Sequence, residues 1–109
     1  MENEKTIVDE ILSQIRRAAN IAEHYCEQGN MQLQLVVAIE EMSELIKEIS
    51  KNMRGKSNKA SLIEEIADVH IMLWQLLYIY NISESELIEE MNKKLTRQEA
   101  RIKGKYIQN

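Results

Sequence analysis

The sequence predicts an all-α protein, a four-helix up-and-down bundle, and three observations carry that prediction. The 109 residues contain no proline and only three glycines. Those glycines, at positions 29, 55 and 104, fall where the apolar periodicity breaks. Between them, apolar residues recur at three- and four-residue steps, the spacing of one helical face.

The first helix is expected from Thr6 to Gln28, with Ile7, Ile11, Ile15, Ala18, Ala22 and Tyr25 on one face, ending at Gly29-Asn30. The second spans about Met31 to Asn52, and RGKSNK (54–59) is the one clear polar loop. Ser61-Leu-Ile-Glu64 matches a capping box and opens a third helix reaching about Tyr80. The later half of that helix is apolar almost all round, so it is expected to be central or to meet another subunit. Ser83-Glu-Ser-Glu86 is a second capping box, opening a fourth helix that continues to about Lys103, before a polar tail after Gly104. Short turns between four helices make an up-and-down bundle, with residues 1–109 as one domain.

Composition bounds the function. An apolar fraction of 44% is ordinary for a globular chain. A domain this small, built of amphipathic helices, has apolar surface to spare, so an oligomer is expected. The formal charge of −4 argues against a nucleic-acid polymer as partner, since that grip needs clustered Lys and Arg. Cys26 is the only cysteine, which rules out a disulfide within the chain and a cysteine-based zinc site within it. The charged start, MENEKTIVDEIL, does not read as a signal peptide. The apolar run around Ile71–Tyr80 is broken by Gln75 and too short for a bilayer. A soluble, cytoplasmic protein without membrane partners is expected.

The chemistry lies in two acidic phrases, AIEEMSELIKEI (38–49) and IEEIADVHIML (63–73). Glu41 with Glu44, and Glu65 with Asp68, are three residues apart, so each pair is one turn apart on nearly one face. If the second and third helices pack antiparallel, both pairs converge on one point. Four bare carboxylates there repel and are costly to desolvate, and a hard divalent cation removes that conflict. Oxygen-only ligation selects Mg²⁺, Mn²⁺ or Ca²⁺ over zinc or copper, with Mg²⁺ the physiological default. Mg²⁺ keeps positions open for water and substrate phosphates. A di-iron carboxylate bundle uses Glu-x-x-His, but Ile21 and Ala67 stand three residues before His24 and His70. The competing reading of the acids is a solvated helical stripe.

Glu40-Glu41-Met-Ser-Glu44, twenty intervening residues, then Glu65-Ile-Ala-Asp68 resembles the signature of the MazG-like, all-α nucleoside triphosphate pyrophosphohydrolases: EExxE, a spacer of variable length, ExxD. The resemblance covers roughly Gly29 to Ile102, including Gln34 before the acids and the terminal KLTRQEARI. It implies that Glu41, Glu44, Glu65 and Asp68 ligate Mg²⁺, with Mn²⁺ as a substitute, and that Glu40 is a supporting acid or helps to position water. The reaction it implies is hydrolysis between the α- and β-phosphates of a nucleoside triphosphate, in nucleotide-pool control or house-cleaning, by a homodimer or homotetramer. Which carboxylate would accept the water's proton is left open.

Lys94, Arg97 and Arg101 form one cationic stripe on the fourth helix, matching the basic segment that closes the family's motif and suited to phosphate. They are equally suited to pairing with Glu90 and other surface acids. Gln34 is a candidate reader of a base edge, and Lys56 and Lys59 are weaker phosphate candidates. The segment GNMQLQL lacks the aromatic residue that several relatives place before the second helix, so base identity does not transfer. The alternative class is a non-catalytic helical module, regulatory or partner-binding.

Overall fold

The computed structural model describes the backbone of residues 2–104 and the side chains of residues 6–104. The helices are α1 (Glu2–Glu27), α2 (Met31–Met53), α3 (Lys59–Ile79) and α4 (Glu84–Ile102). No strand occurs among the described residues, so the all-α class with four helices on short turns holds. The polar tail expected after Gly104 lies outside the described residues.

The three reversals share one closure. After α1, Gly29 N donates to Cys26 O and Asn30 N to Tyr25 O; after α2, Gly55 N donates to Asn52 O and Lys56 N to Lys51 O. After α3, Asn81 N donates to Tyr78 O and Ile82 N to Leu77 O. Each is the paired hydrogen-bond pattern of a Schellman end, which needs one left-handed residue. Gly29 (φ 75°), Gly55 (φ 71°) and Asn81 (φ 57°) supply it. Asparagine is the side chain that tolerates this region best after glycine.

Helix starts differ from expectation in two places. α1 begins at Glu2 rather than Thr6, since residues 2–5 contain neither glycine nor proline to stop it. α3 begins at Lys59, not at Ser61, because Asn58 is the cap: its side-chain oxygen accepts from Ser61 N at 2.8 Å. Asn58 is extended (φ −136°, ψ 170°), as a cap requires, and Ser61 sits already inside the helix. The expected box at α4 forms in full. Ser83 Oγ accepts from Glu86 N, and Glu86 returns a carboxylate to Ser83 N.

α1 and α2 both pack along α3 and touch each other little. The buried apolar core is Ala18 and Ala22 of α1, Ala38 of α2, and Val69 and Met72 of α3. Three of these are alanines, which let the backbones approach closely but bury little area. α4 has no comparable packing against α1, α2 or α3, and none of its residues is buried. It leaves the other three with its apolar row, Ile88, Met91 and Leu95, in the open.

Candidate functional site

The site is built at the seam between α2 and α3. The Gln34 side-chain amide donates to Gln75 Oε1 at 2.8 Å, and both residues are buried, at 7% and 3% exposure. Seven residues along α2 comes Glu41; seven back along α3 comes Asp68. Seven residues are two turns, so helices opposed at Gln34 and Gln75 are again opposed at Glu41 and Asp68 only if they run antiparallel. The loop of residues 54–58 permits that, and the acids do meet.

Carboxylate oxygens of Glu41, Glu65 and Asp68 all lie within 4.8 Å of one another. All three side chains are half-buried. The Glu41 carboxyl is raised above the ordinary 4.5, first by loss of solvent and then by the charges of Asp68, Glu65, Glu44 and Glu40. Glu65 is raised in the same order of causes: loss of solvent, then Asp68, Glu44, Glu64 and Glu48. None of the three takes part in an ion pair among the described residues, where Lys47–Glu44, Lys51–Glu48 and Lys94–Glu90 are the pairs formed. Three oxygen donors from two helices, held together without a positive partner, fit a hard divalent cation in donor type and charge.

The other sequence candidates fall elsewhere. Glu44 stays on the rim, its carboxylate 3.8 Å from Lys47 Nζ, close enough that its charge acts on Glu41 and Glu65. Glu40 is exposed beside it. Gln34 lies in the seam with its amide committed to Gln75, two turns from the acids. Lys94, Arg97 and Arg101 are exposed on α4, with Lys94 Nζ 3.6 Å from Glu90, and the unpacked helix does not bring them to the acids within one chain. Lys56 and Lys59 are exposed in and beside the loop. Trp74 and His70 line a different feature, a groove of about 550 Å³ between α1 and α3 with Ile11, Arg17, Ile21 and Ile71. His70 and Trp74 lie well round the helix from Glu65 and Asp68.

Three residues that the sequence reading did not single out for the site belong to its frame. Gln75 fixes Gln34, and its signal was there: a lone polar residue in an apolar run, seven after Asp68. Glu48, seven after Glu41, is buried one step further along the seam, where it accepts a hydrogen bond from Ser57 Oγ and pairs with Lys51. Ser57 thereby ties the α2–α3 loop to the seam.

No helix among the described residues is long and apolar enough to cross a membrane. No curated protein and no solved structure matches the chain. Residues 28–102 match the family model of the MazG nucleotide pyrophosphohydrolase domain, a span that contains the whole α2–α3 seam, both acidic phrases and α4. By that match over most of its length, the chain belongs to the MazG nucleotide pyrophosphohydrolase family.

Proposed function

We propose that this protein hydrolyses a nucleoside triphosphate at the α–β anhydride, adding water across it to release a nucleoside monophosphate and pyrophosphate. The observation that carries the reading is the convergence of Glu41, Glu65 and Asp68 within 4.8 Å, without a basic partner among the described residues, inside the segment that matches the family. In this reading those three carboxylates hold Mg²⁺, or Mn²⁺ in its place, and Glu44 turns in from the rim as a fourth. A bound divalent ion supplies charge neutralisation at phosphate oxygens and a lowered pKa for a water molecule it holds.

The chain's own residues supply the rest. Glu40, outside the ligand set, or the carboxylate oxygen of Glu41 that ligation leaves free, accepts the attacking water's proton, helped by the negative charge around it. Lys94, Arg97 and Arg101 meet the phosphates when an α4 helix is brought over the seam, since a triphosphate carries more charge than one cation offsets. A base-edge contact by Gln34 requires its amide to exchange Gln75 for the nucleotide. The protein acts in the cytoplasm on the free nucleotide pool, as a homodimer or a pair of dimers, in pool control or removal of aberrant nucleotides.

The test is to incubate the protein with a panel of ribo- and deoxyribonucleoside triphosphates and Mg²⁺, and to resolve the products by ion-exchange chromatography. Monophosphate and pyrophosphate in equal amounts, lost in Asp68→Asn, are expected. Monophosphate without pyrophosphate, or undiminished turnover in Asp68→Asn, would overturn it. No turnover on any triphosphate, with Mg²⁺ still raising the melting temperature, would favour a regulatory module that binds the metal and does not hydrolyse.

A further inference from the structure

Two helices packed as a hairpin must settle on one register, and the α2–α3 seam has little apolar shape with which to choose it. The buried residues of α2 are Gln34, Ala38 and Glu48, of which only the alanine is apolar. In the layer between the amide pair and the acids, α3 contributes the buried Met72. Alanine offers no projecting side chain to be gripped, and methionine is flexible enough to fill whatever gap it meets. The acids cannot hold the register either. Glu41, Glu65 and Asp68 have no positive partner among the described residues, so without a cation they repel one another. At the loop end of the seam Glu48 is tied by Ser57, but Ser57 belongs to the connection itself and leaves the far end of the hairpin free.

The hydrogen bond from Gln34 to Gln75 is the directional contact at that far end. In the observed register no buried side-chain nitrogen or oxygen among the described residues lacks a hydrogen-bond partner. Sliding α3 by one turn along α2 would destroy that balance. In one direction Gln34 comes opposite Ile79 and Gln75 opposite Ala38; in the other, Gln34 comes opposite Met72 and Gln75 opposite Met31. Either way both amides face apolar side chains, and a buried amide without a partner bears its full desolvation cost. One register is singled out, much as a buried asparagine singles out one register of a coiled coil.

The same slide takes the acidic cluster apart. Asp68, which meets Glu41 in the seam, would come opposite Leu45 or Ala38, one turn or about 5.4 Å away. Mg²⁺ takes its oxygens at about 2.0–2.1 Å in near-ideal octahedral geometry, so a shift of that size parts Glu41 from Asp68 at any shared ion.

We propose that Gln75, through its bond to Gln34, is a positioning residue for the metal centre: the buried amide pair fixes the one register of α2 against α3 in which Glu41 and Asp68 face the same ion. This role presupposes the divalent ion proposed for the three acids. Neither amide touches that ion, since each stands seven residues, about 10 Å, along its helix from the acid of the cluster. A polar pair buried where two leucines would pack is accounted for by what it holds in line two turns away.

Isothermal titration of the full chain with Mg²⁺ alone, without nucleotide, tests this free of any base-edge role of Gln34. Gln34→Leu with Gln75→Leu replaces neutral side chains by neutral ones and so changes no charge at the acids. It is expected to keep its helicity by circular dichroism and a metal-free urea midpoint near that of the unaltered protein, while binding Mg²⁺ roughly tenfold or more weakly. A loss of affinity at retained stability is what a merely structural pair would not give. Gln75→Glu, which keeps an acceptor for the Gln34 amide, is expected to bind Mg²⁺ as tightly as the unaltered protein or a few-fold more tightly. If the double leucine change unfolds the chain, Gln34→Met with Gln75→Met, closer in shape to the pair it replaces, is read in the same way. A folded double variant with unchanged Mg²⁺ affinity overturns the positioning role and leaves the metal centre standing. So does a loss of roughly tenfold in Gln75→Glu, which retains the hydrogen bond. No binding of Mg²⁺ by the unaltered protein overturns the metal centre itself, and the positioning role with it.

Discussion

Glu41 and Glu65 bind their protons more tightly in the folded chain than in an unfolded one, because each loses solvent and faces other acids. The folded state then holds more protons than the unfolded one above pH 4.5, so metal-free stability falls as pH rises through the raised values. Glu65→Gln removes that penalty and is expected to raise the metal-free melting temperature at neutral pH. Mg²⁺ at 100 times its dissociation constant is expected to stabilise the unaltered protein by about 2.7 kcal/mol, and the same change is expected to abolish most of that gain. Differential scanning calorimetry with and without Mg²⁺ reads both; a solvated stripe would show neither. The spacing of the acids made the cluster legible, because residues three apart on a helix must share a face. Which acid turns inward was not legible. Glu44 has the same spacing from Glu41 that Asp68 has from Glu65, yet Lys47, one turn on, meets its carboxylate at the rim.

At the scale of elements, the boundaries were readable where the backbone demanded a particular residue. Gly29 and Gly55 had to follow helices because their left-handed φ is costly for most other residues. The start of α3 was misread because Ser61 and Glu64 satisfy a capping pattern that Asn58, three residues earlier, preempts. Asn58→Ala is expected to cost about 0.5–2 kcal/mol in urea unfolding, and Ser61→Ala to leave the midpoint nearly unchanged. The buried amide pair between α2 and α3 was out of reach of the sequence because its two members are far apart in the chain, and only packing joins them. Gln75→Leu is expected to cost about 1–3 kcal/mol by leaving the Gln34 amide buried without its partner. Gln34→Leu together with Gln75→Leu is expected to recover most of that stability in the same urea titration.

The molecule as a whole carries the imbalance expected of a small helical chain. Its sequence announced a surplus of apolar residues, but the location of the surplus depends on which face each helix turns inward. Five small or medium side chains form the buried apolar core, while long apolar rows on α2, α3 and α4 stay in the open. A homodimer of the kind proposed would share its stability between copies, and its melting temperature is expected to rise with protein concentration. Calorimetry from about 5 to about 500 μM checks this, with a constant melting temperature as the contrary result. Arg97→Ala with Arg101→Ala, both exposed on an unpacked helix, is expected to leave the unfolding free energy within about 0.5 kcal/mol of unchanged. In the triphosphate assay the same pair should raise KM.

The opposition of Gln34 to Gln75 and of Glu41 to Asp68 also bears on how such a chain can vary in descent. Both pairings are set by contacts between the helices, and neither depends on how many residues join them. Insertions between residues 54 and 58 therefore leave the acids facing one another, at the expense only of the Ser57 tether to Glu48. A single residue deleted between Gln34 and Glu41 would instead swing the acid about 100° out of the seam while the amide pair held its place. The loop can accordingly change length without moving the acids apart, whereas the helices on either side of it must keep their residue count.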